Sequence, residues 1–142
     1  TQGVSSAASD VYKRQAPTIS FAVSSTSVGE CDSNVTVTAN LTGAHSSNVT
    51  VNWAVGGTAT INTDYTLTST AQTIVAGATS GTITLDPTND TTVETSETVT
   101  LAASVTGVST TGNTSTTITL HDYVLKCNTL LFQKVLQVNK IL

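Results

Sequence analysis

The chain has 142 residues, 38% of them hydrophobic and 10% charged, with five Lys or Arg, nine Asp or Glu and a net charge of −4. That length suits one domain around one core. No run of about 18 apolar residues offers a membrane span, and the acidic balance excludes a nucleic-acid surface, whose phosphates require Lys and Arg.

The core must come from Val, Ile, Leu and Ala, because the sequence holds no Met, one Trp, two Phe and three Tyr. Ser and Thr make up roughly a third of it, far above ordinary usage. β-branched residues fit a pleated surface better than a helix, so an all-β fold is predicted.

In chain order, residues 1–15 ("TQGVSSAASDVYKRQ") show no alternation, and "SSAASDVYKRQ" resembles a translated sequencing adapter. They are expected to be a non-native or disordered leader. Strands are predicted at "TISFAV" (Thr18 to Val23), "NVTVTANL" (Asn34 to Leu41), "NVTVNWAV" (Asn48 to Val55) and "QTIV" (Gln72 to Val75). Three more follow at "SGTITL" (Ser80 to Leu85), "ETVTLAAS" (Glu97 to Ser104) and "STTITL" (Ser115 to Leu120). Apolar and polar residues alternate with period two in most of these runs, as in half-buried strands. About seven strands without a helical period predict a β-sandwich over residues 16–123, with Trp53 facing its core. From residue 124 the composition turns to Leu, Lys and Gln. That tail is expected to be either a frameshifted sequence or a short amphipathic helix.

Charge is distributed unevenly. Lys13, Arg14, Lys126, Lys134 and Lys140 all lie near the two ends, and none falls between Ala16 and Tyr123. The same span carries Glu30, Asp32, Asp64, Asp86, Asp90, Glu94, Glu97 and Asp122. Most of them fall in loops or at strand ends, where several can converge on one edge of a sandwich. Calcium needs six to eight oxygen ligands at about 2.3–2.6 Å, which loops supply readily. Solvated loop carboxylates are also common, and Asp64 has a second reading as a turn-closing residue. The strand map alone leaves these readings open.

The same residues carry a family resemblance. "GGTATINTDYT" (Gly56 to Thr66), "IVAGATSGTITL" (Ile74 to Leu85) and "NDTTVETSETVTL" (Asn89 to Leu101) look like successive signatures of the Calx-beta domain, within a match from about Thr18 to Asp122. The resemblance implies an immunoglobulin-like sandwich of seven strands that binds Ca2+ at one end. Carried over residue by residue, it implies metal ligands at Glu30, Asp64, Asn89, Asp90, Glu94 and Asp122, with Tyr65 packing beneath the turn. Glu97 also matches the family pattern but is assigned a structural role at a strand start. Two departures stand out: Asn89 replaces an acid, and the acidic run expected after the last strand is reduced to "HDY", His121 to Tyr123. Fewer charges mean weaker binding.

Neither histidine, His45 nor His121, lies in a nucleophile motif or beside a spaced carboxylate dyad, so no catalysis is expected. Five N-x-[ST] sequons, at Asn34, Asn40, Asn48, Asn89 and Asn113, are expected by chance in so Thr-rich a chain. Cys31 and Cys127 lack zinc-site spacing and are expected to be free thiols.

The expectation is a calcium-binding, non-enzymatic module of a larger extracellular or cell-surface repeat protein. Its partners would be neighbouring domains of the same polypeptide, with surface proteins or glycans as further candidates. The alternative is a metal-free spacer or adhesin stalk that keeps the fold and has lost the site.

Overall fold

The computed structural model describes residues 17–122. The expectations for the leader and the tail lie outside the described residues. Ten strands form: β1 (Thr18–Val23), β2 (Ser27–Gly29), β3 (Val35–Leu41), β4 (Val49–Gly57), β5 (Tyr65–Leu67), β6 (Ala71–Ile74), β7 (Ser80–Pro87), β8 (Glu97–Thr106), β9 (Ser109–Thr110) and β10 (Ser115–His121). The seven predicted strands are all present. The three additional ones, β2, β5 and β9, are two or three residues long, too short for alternation to register as a pattern.

The strands make two five-stranded sheets in the orders β5-β7-β3-β1-β9 and β2-β10-β8-β4-β6. Alternation decides which side chains lie between them. Val35, Val37, Ala39 and Leu41 of β3 are buried, as are Val49, Val51 and Trp53 of β4 and Val99 and Leu101 of β8. Ile19, Val28, Tyr65, Ile74, Ile83, Leu85, Ile118 and Leu120 complete this layer. Trp53 meets Phe21 edge to face, with ring centroids 5.1 Å apart and planes at 72°, so the single tryptophan joins the two sheets. The intervening Thr residues stand opposite one another across strands, as Thr36↔Thr84, Thr38↔Thr82, Thr98↔Thr119 and Thr100↔Thr117. Such cross-strand pairs stabilise each register modestly.

One buried side chain does not suit this core. Gln72 on β6 is buried, and neither its amide nitrogen nor its amide oxygen has a hydrogen-bond partner among the described residues. Gly81 on β7 leaves it room, because a Cβ there would lie 2.5 Å from the Gln72 Nε2 atom. A buried amide left unsatisfied costs about 1–3 kcal/mol. Gln72→Met, close in volume and free of that cost, should therefore raise stability by about 1 kcal/mol, measured as a higher urea midpoint at unchanged slope. An unchanged or lower midpoint would show that the amide is satisfied in solution.

Cys31 is disulfide-bonded, so the expectation of a free thiol there is corrected; Cys127 lies outside the described residues. The bridge was not legible in sequence because Cys31 sits in a loop with no spacing rule to pair it. The geometry a disulfide requires is set only by the folded chain.

Candidate metal centre

Strand pairing brings four chain segments to one end of the sandwich. β2 runs parallel to β10, pairing Val28↔Leu120 and Gly29↔His121, and the Glu30 N–H donates to the His121 carbonyl at 3.2 Å. Glu30 and Asp122 therefore leave adjacent strands side by side. The register of β4 on β8 sets Gly57 opposite Val99, and the Thr58 N–H donates to the Thr98 carbonyl at 2.9 Å. This places the loop after β4 beside the start of β8, where Glu97 lies. The connection from β7 to β8 supplies Asp90 and Glu94.

The "GGTATINTDYT" turn is built to hold Asp64. The Asp64 Oδ2 atom accepts from the Thr60 N–H at 2.5 Å, and the Asp64 N–H donates to the Thr60 carbonyl at 2.9 Å. Asn62 takes the left-handed conformation at φ 67°, which Asn tolerates better than most residues. Tyr65, 1% exposed, anchors the turn from below; burial, and then the charge of Asp64, push its hydroxyl above its ordinary pKa. Both readings of Asp64 thus meet in one side chain. It closes its turn, and a carboxylate oxygen still lies within 4.8 Å of those of Glu94 and Glu97.

Glu30, Asp64, Glu94, Thr95, Glu97, Leu120 and Asp122 line one open pocket. Asp122 Oδ2 accepts from the Glu94 N–H at 2.7 Å, fixing the loop to the end of β10. His121, beside it, contacts Ser96 Oγ through Nδ1 at 2.8 Å and Ser27 Oγ through Nε2 at 2.9 Å. Of the sequence-predicted ligands, Glu30, Asp64, Glu94 and Asp122 come together. Asn89 and Asp90 do not line the pocket; Asp90 Oδ1 instead accepts from the Thr92 N–H at 2.7 Å. Glu97, assigned a structural role from sequence, stands inside the cluster. The strand pattern gave no sign of this; the signal available was the family pattern, which Glu97 also matches.

No Lys or Arg lies among residues 17–122, and the carboxylates act on one another directly. Glu30 is held above the ordinary carboxyl value of 4.5 by burial and by the charges of Asp122, Asp90 and Glu94, against a backbone hydrogen bond at Asp90 that lowers it. Partial desolvation and the charges of Asp64, Asp90 and Asp122 raise Glu94. Glu97 is raised by desolvation, by a hydrogen bond with the Asp64 carboxyl and by the charges of Asp64, Glu94 and Glu30.

These shifts predict a pH dependence. Each of the three carboxyls binds its proton more tightly in the folded chain than in the unfolded one, so protonation favours folding. That stability is fully present below the ordinary value of 4.5 and is lost as pH rises through the raised values. Without a divalent ion, the melting temperature should therefore fall as pH rises above the ordinary carboxyl value of 4.5 toward neutrality. With millimolar calcium the fall should disappear, because the ion binds the ionised carboxylates. Calorimetric scans in chelator and in calcium measure both; a metal-free chain whose stability rises over that interval contradicts the electrostatics described.

The donor set is all oxygen, which suits a hard cation such as Ca2+ rather than a thiophilic metal. The Oε2 atom of Glu30 is buried with no hydrogen-bond donor against it among the described residues. A buried, unsatisfied carboxylate oxygen is costly, and an ion at the pocket would relieve it. The residues present fit calcium.

Fold and site together define a β-sandwich module with an oxygen-donor edge. The chain belongs to the Calx-beta domain family, whose model matches residues 13–124. The family binds calcium, its members act as binding or regulatory modules, and they occur in extracellular or membrane-associated regions. Among solved structures, the chain is similar to CBD12 from CALX1.2, with a TM-score of 0.63 and 17% identity, covering 75% of this chain and 44% of that one. It is also similar to the apo form of the Calx CBD1 domain, with a TM-score of 0.60 and 18% identity, covering 75% of this chain and 98% of that one. A two-domain protein of unknown function from Bacteroides fragilis matches with a TM-score of 0.54 and 8% identity, over 86% of this chain and 51% of that one. At these identities the likeness speaks for the fold alone. The chain spans less than half of the first of these structures and nearly all of the second. A comparison with curated protein sequences finds no match. No helix among the described residues is long and apolar enough to cross a membrane.

Proposed function

We propose that this domain is a calcium-binding, non-enzymatic module of a larger cell-surface or secreted repeat protein. Ca2+ would neutralise and stiffen its acidic edge and so set the junction with a neighbouring domain of the same polypeptide. Surface proteins or glycans are the further partners such a module would meet. The supporting observation is the convergence of Asp64, Glu94 and Glu97, with ligand oxygens within 4.8 Å of one another, in a span without Lys or Arg. Three carboxylates at that distance repel unless protonated or bridged by a cation.

Isothermal titration of the full chain with calcium tests the reading. Asp64→Asn and Glu97→Gln should each weaken binding about tenfold, ~1.4 kcal/mol. Asp86→Asn should leave it unchanged, since Asp86 is exposed on β7 and takes no part in the pocket lining. Absence of calcium heat from the unaltered chain would reject the proposal.

A second reading, a metal-free spacer, is favoured by the hydrogen bonds that already hold the edge, Thr60 N–H to Asp64 and Glu94 N–H to Asp122. On that reading, Asp64→Ala lowers stability equally in calcium and in chelator. A loss confined to calcium would eliminate it.

A further inference from the structure

A strand at the edge of a sheet offers unpaired N–H and C=O groups to any other strand, and folds commonly blunt such edges. The sheet β2-β10-β8-β4-β6 has β2 at one edge and β6 at the other. On β2, the Thr26 carbonyl accepts from the Thr119 N–H at 2.9 Å and the Glu30 N–H donates to the His121 carbonyl, so by alternation Ser27 and Gly29 turn their main-chain groups outward. All of these groups are satisfied locally. Ser25 Oγ accepts from the Ser27 N–H at 3.2 Å and donates to the Ser27 carbonyl at 2.6 Å. The Gly29 N–H donates to Asp32 Oδ2 at 2.8 Å, and the Gly29 carbonyl accepts from the Asp32 N–H at 2.9 Å.

The edge at β6 is only partly closed. The Thr70 carbonyl accepts from the Trp53 N–H at 2.8 Å, and the register Val51↔Gln72 and Val49↔Ile74 continues that bonding, so Ala71, Thr73 and Val75 turn outward. Ser69 Oγ closes Ala71, accepting from its N–H at 3.1 Å and donating to its carbonyl at 2.6 Å. The Val75 carbonyl accepts from the Ala78 N–H at 3.0 Å. Nothing among the described residues takes the outward groups of Thr73 or the Val75 N–H. Both side chains are exposed, Val75 by 59%. The surroundings are uncharged, since the chain has no Asp, Glu, Lys or Arg between Asp64 and Asp86 and none in β4.

We propose that the outer edge of β6 is a self-association surface, on which two copies of this chain pair β6 with β6 about a two-fold axis at Thr73. A strand meets its own copy across such an axis in the antiparallel sense, so each Thr73 N–H donates to the other copy's Thr73 carbonyl. Two five-stranded sheets then become one of ten strands. Charge selects the occupant, because two copies of an acidic chain repel least where neither presents a carboxylate. Ser69 confines the seam to its centre, since Ala71, which would stand opposite Val75 of the other copy, already gives its N–H to the serine. The surface lies away from the acidic pocket: β6 pairs with the first residues of β4, whereas Gly57 at the far end of β4 adjoins the start of β8. Self-pairing therefore needs no cation.

Sedimentation equilibrium of the full chain in chelator tests this. The weight-average mass should rise toward twice the monomer value at roughly 100 μM and above, because so short a seam binds weakly. Thr73→Pro removes the outward N–H without touching a bond to β4 and should leave the chain monomeric at every concentration. Thr73→Glu sets like charges opposite each other across the seam; it should do the same and stands in if the proline variant fails to fold. Ser69→Ala frees Ala71 and should tighten the dimer about tenfold. Ser25→Ala should leave it unchanged, because β2 takes no part. A chain that stays monomeric throughout, Ser69→Ala included, overturns the proposal, and so does a dimer that the Thr73 variants leave intact.

Discussion

Saturating calcium should raise the melting temperature of the full chain by roughly 10 °C or more over its value in chelator. At free calcium about 100 times the dissociation constant, binding to the folded state alone contributes about 2.7 kcal/mol. In a domain of this size each kcal/mol moves the midpoint by roughly 4–8 °C. The effect is expected to be large because the ion would act where the metal-free fold is weakest. Glu30, Glu94 and Glu97 are all driven toward protonation by desolvation and by neighbouring carboxylates, and Glu30 keeps a buried oxygen without a donor among the described residues. Magnesium at the same concentration should give a smaller rise, since it demands near-ideal octahedral geometry and dehydrates reluctantly. Scanning calorimetry in chelator, calcium and magnesium measures this. Coincident transitions in all three would remove calcium from the account of this domain.

The second large effect belongs to the backbone. Gly57→Ala should destabilise the fold by roughly 3 kcal/mol or more, lowering the melting temperature by roughly 12 °C or more. Gly57 ends β4 at φ 113°, a conformation that side chains rarely adopt. A Cβ there would fall on the main-chain carbonyl of Thr98, which accepts from the Thr58 and Ala59 N–H groups. Backbone cannot yield as a flexible side chain does, so the turn would separate from β8. Asp64 would then move away from Glu97, and calcium affinity should fall together with stability. Gly77→Ala is the control. Gly77 also has a positive φ, 86°, but a Cβ there meets nothing within 4 Å, so it should cost only the conformational strain, about 1 kcal/mol. Equal losses at the two positions would show that crowding against Thr98 is unimportant.

The sandwich was legible in the sequence because period-two alternation is a local signal. Val35, Val37 and Ala39, or Val99 and Leu101, declare one buried face from their own spacing, and each of these strands forms where the alternation lies. The concentration of carboxylates at strand ends, without Lys or Arg from Ala16 to Tyr123, likewise followed from the strand map. Which of those carboxylates meet could not be read this way. Glu97 begins a strand and fitted a structural role, yet β4–β8 pairing, Gly57 opposite Val99, sets the Asp64 turn beside it. Asp90 looked equivalent to Glu94, yet its oxygen closes a local turn with Thr92. Tertiary structure decided these because the deciding contacts are long-range: Glu94 reaches Asp122 across 28 residues and His121 reaches Ser27 across 94. The disulfide at Cys31 is of the same kind, since a covalent bridge records a distance in space, which residue spacing along a chain does not encode.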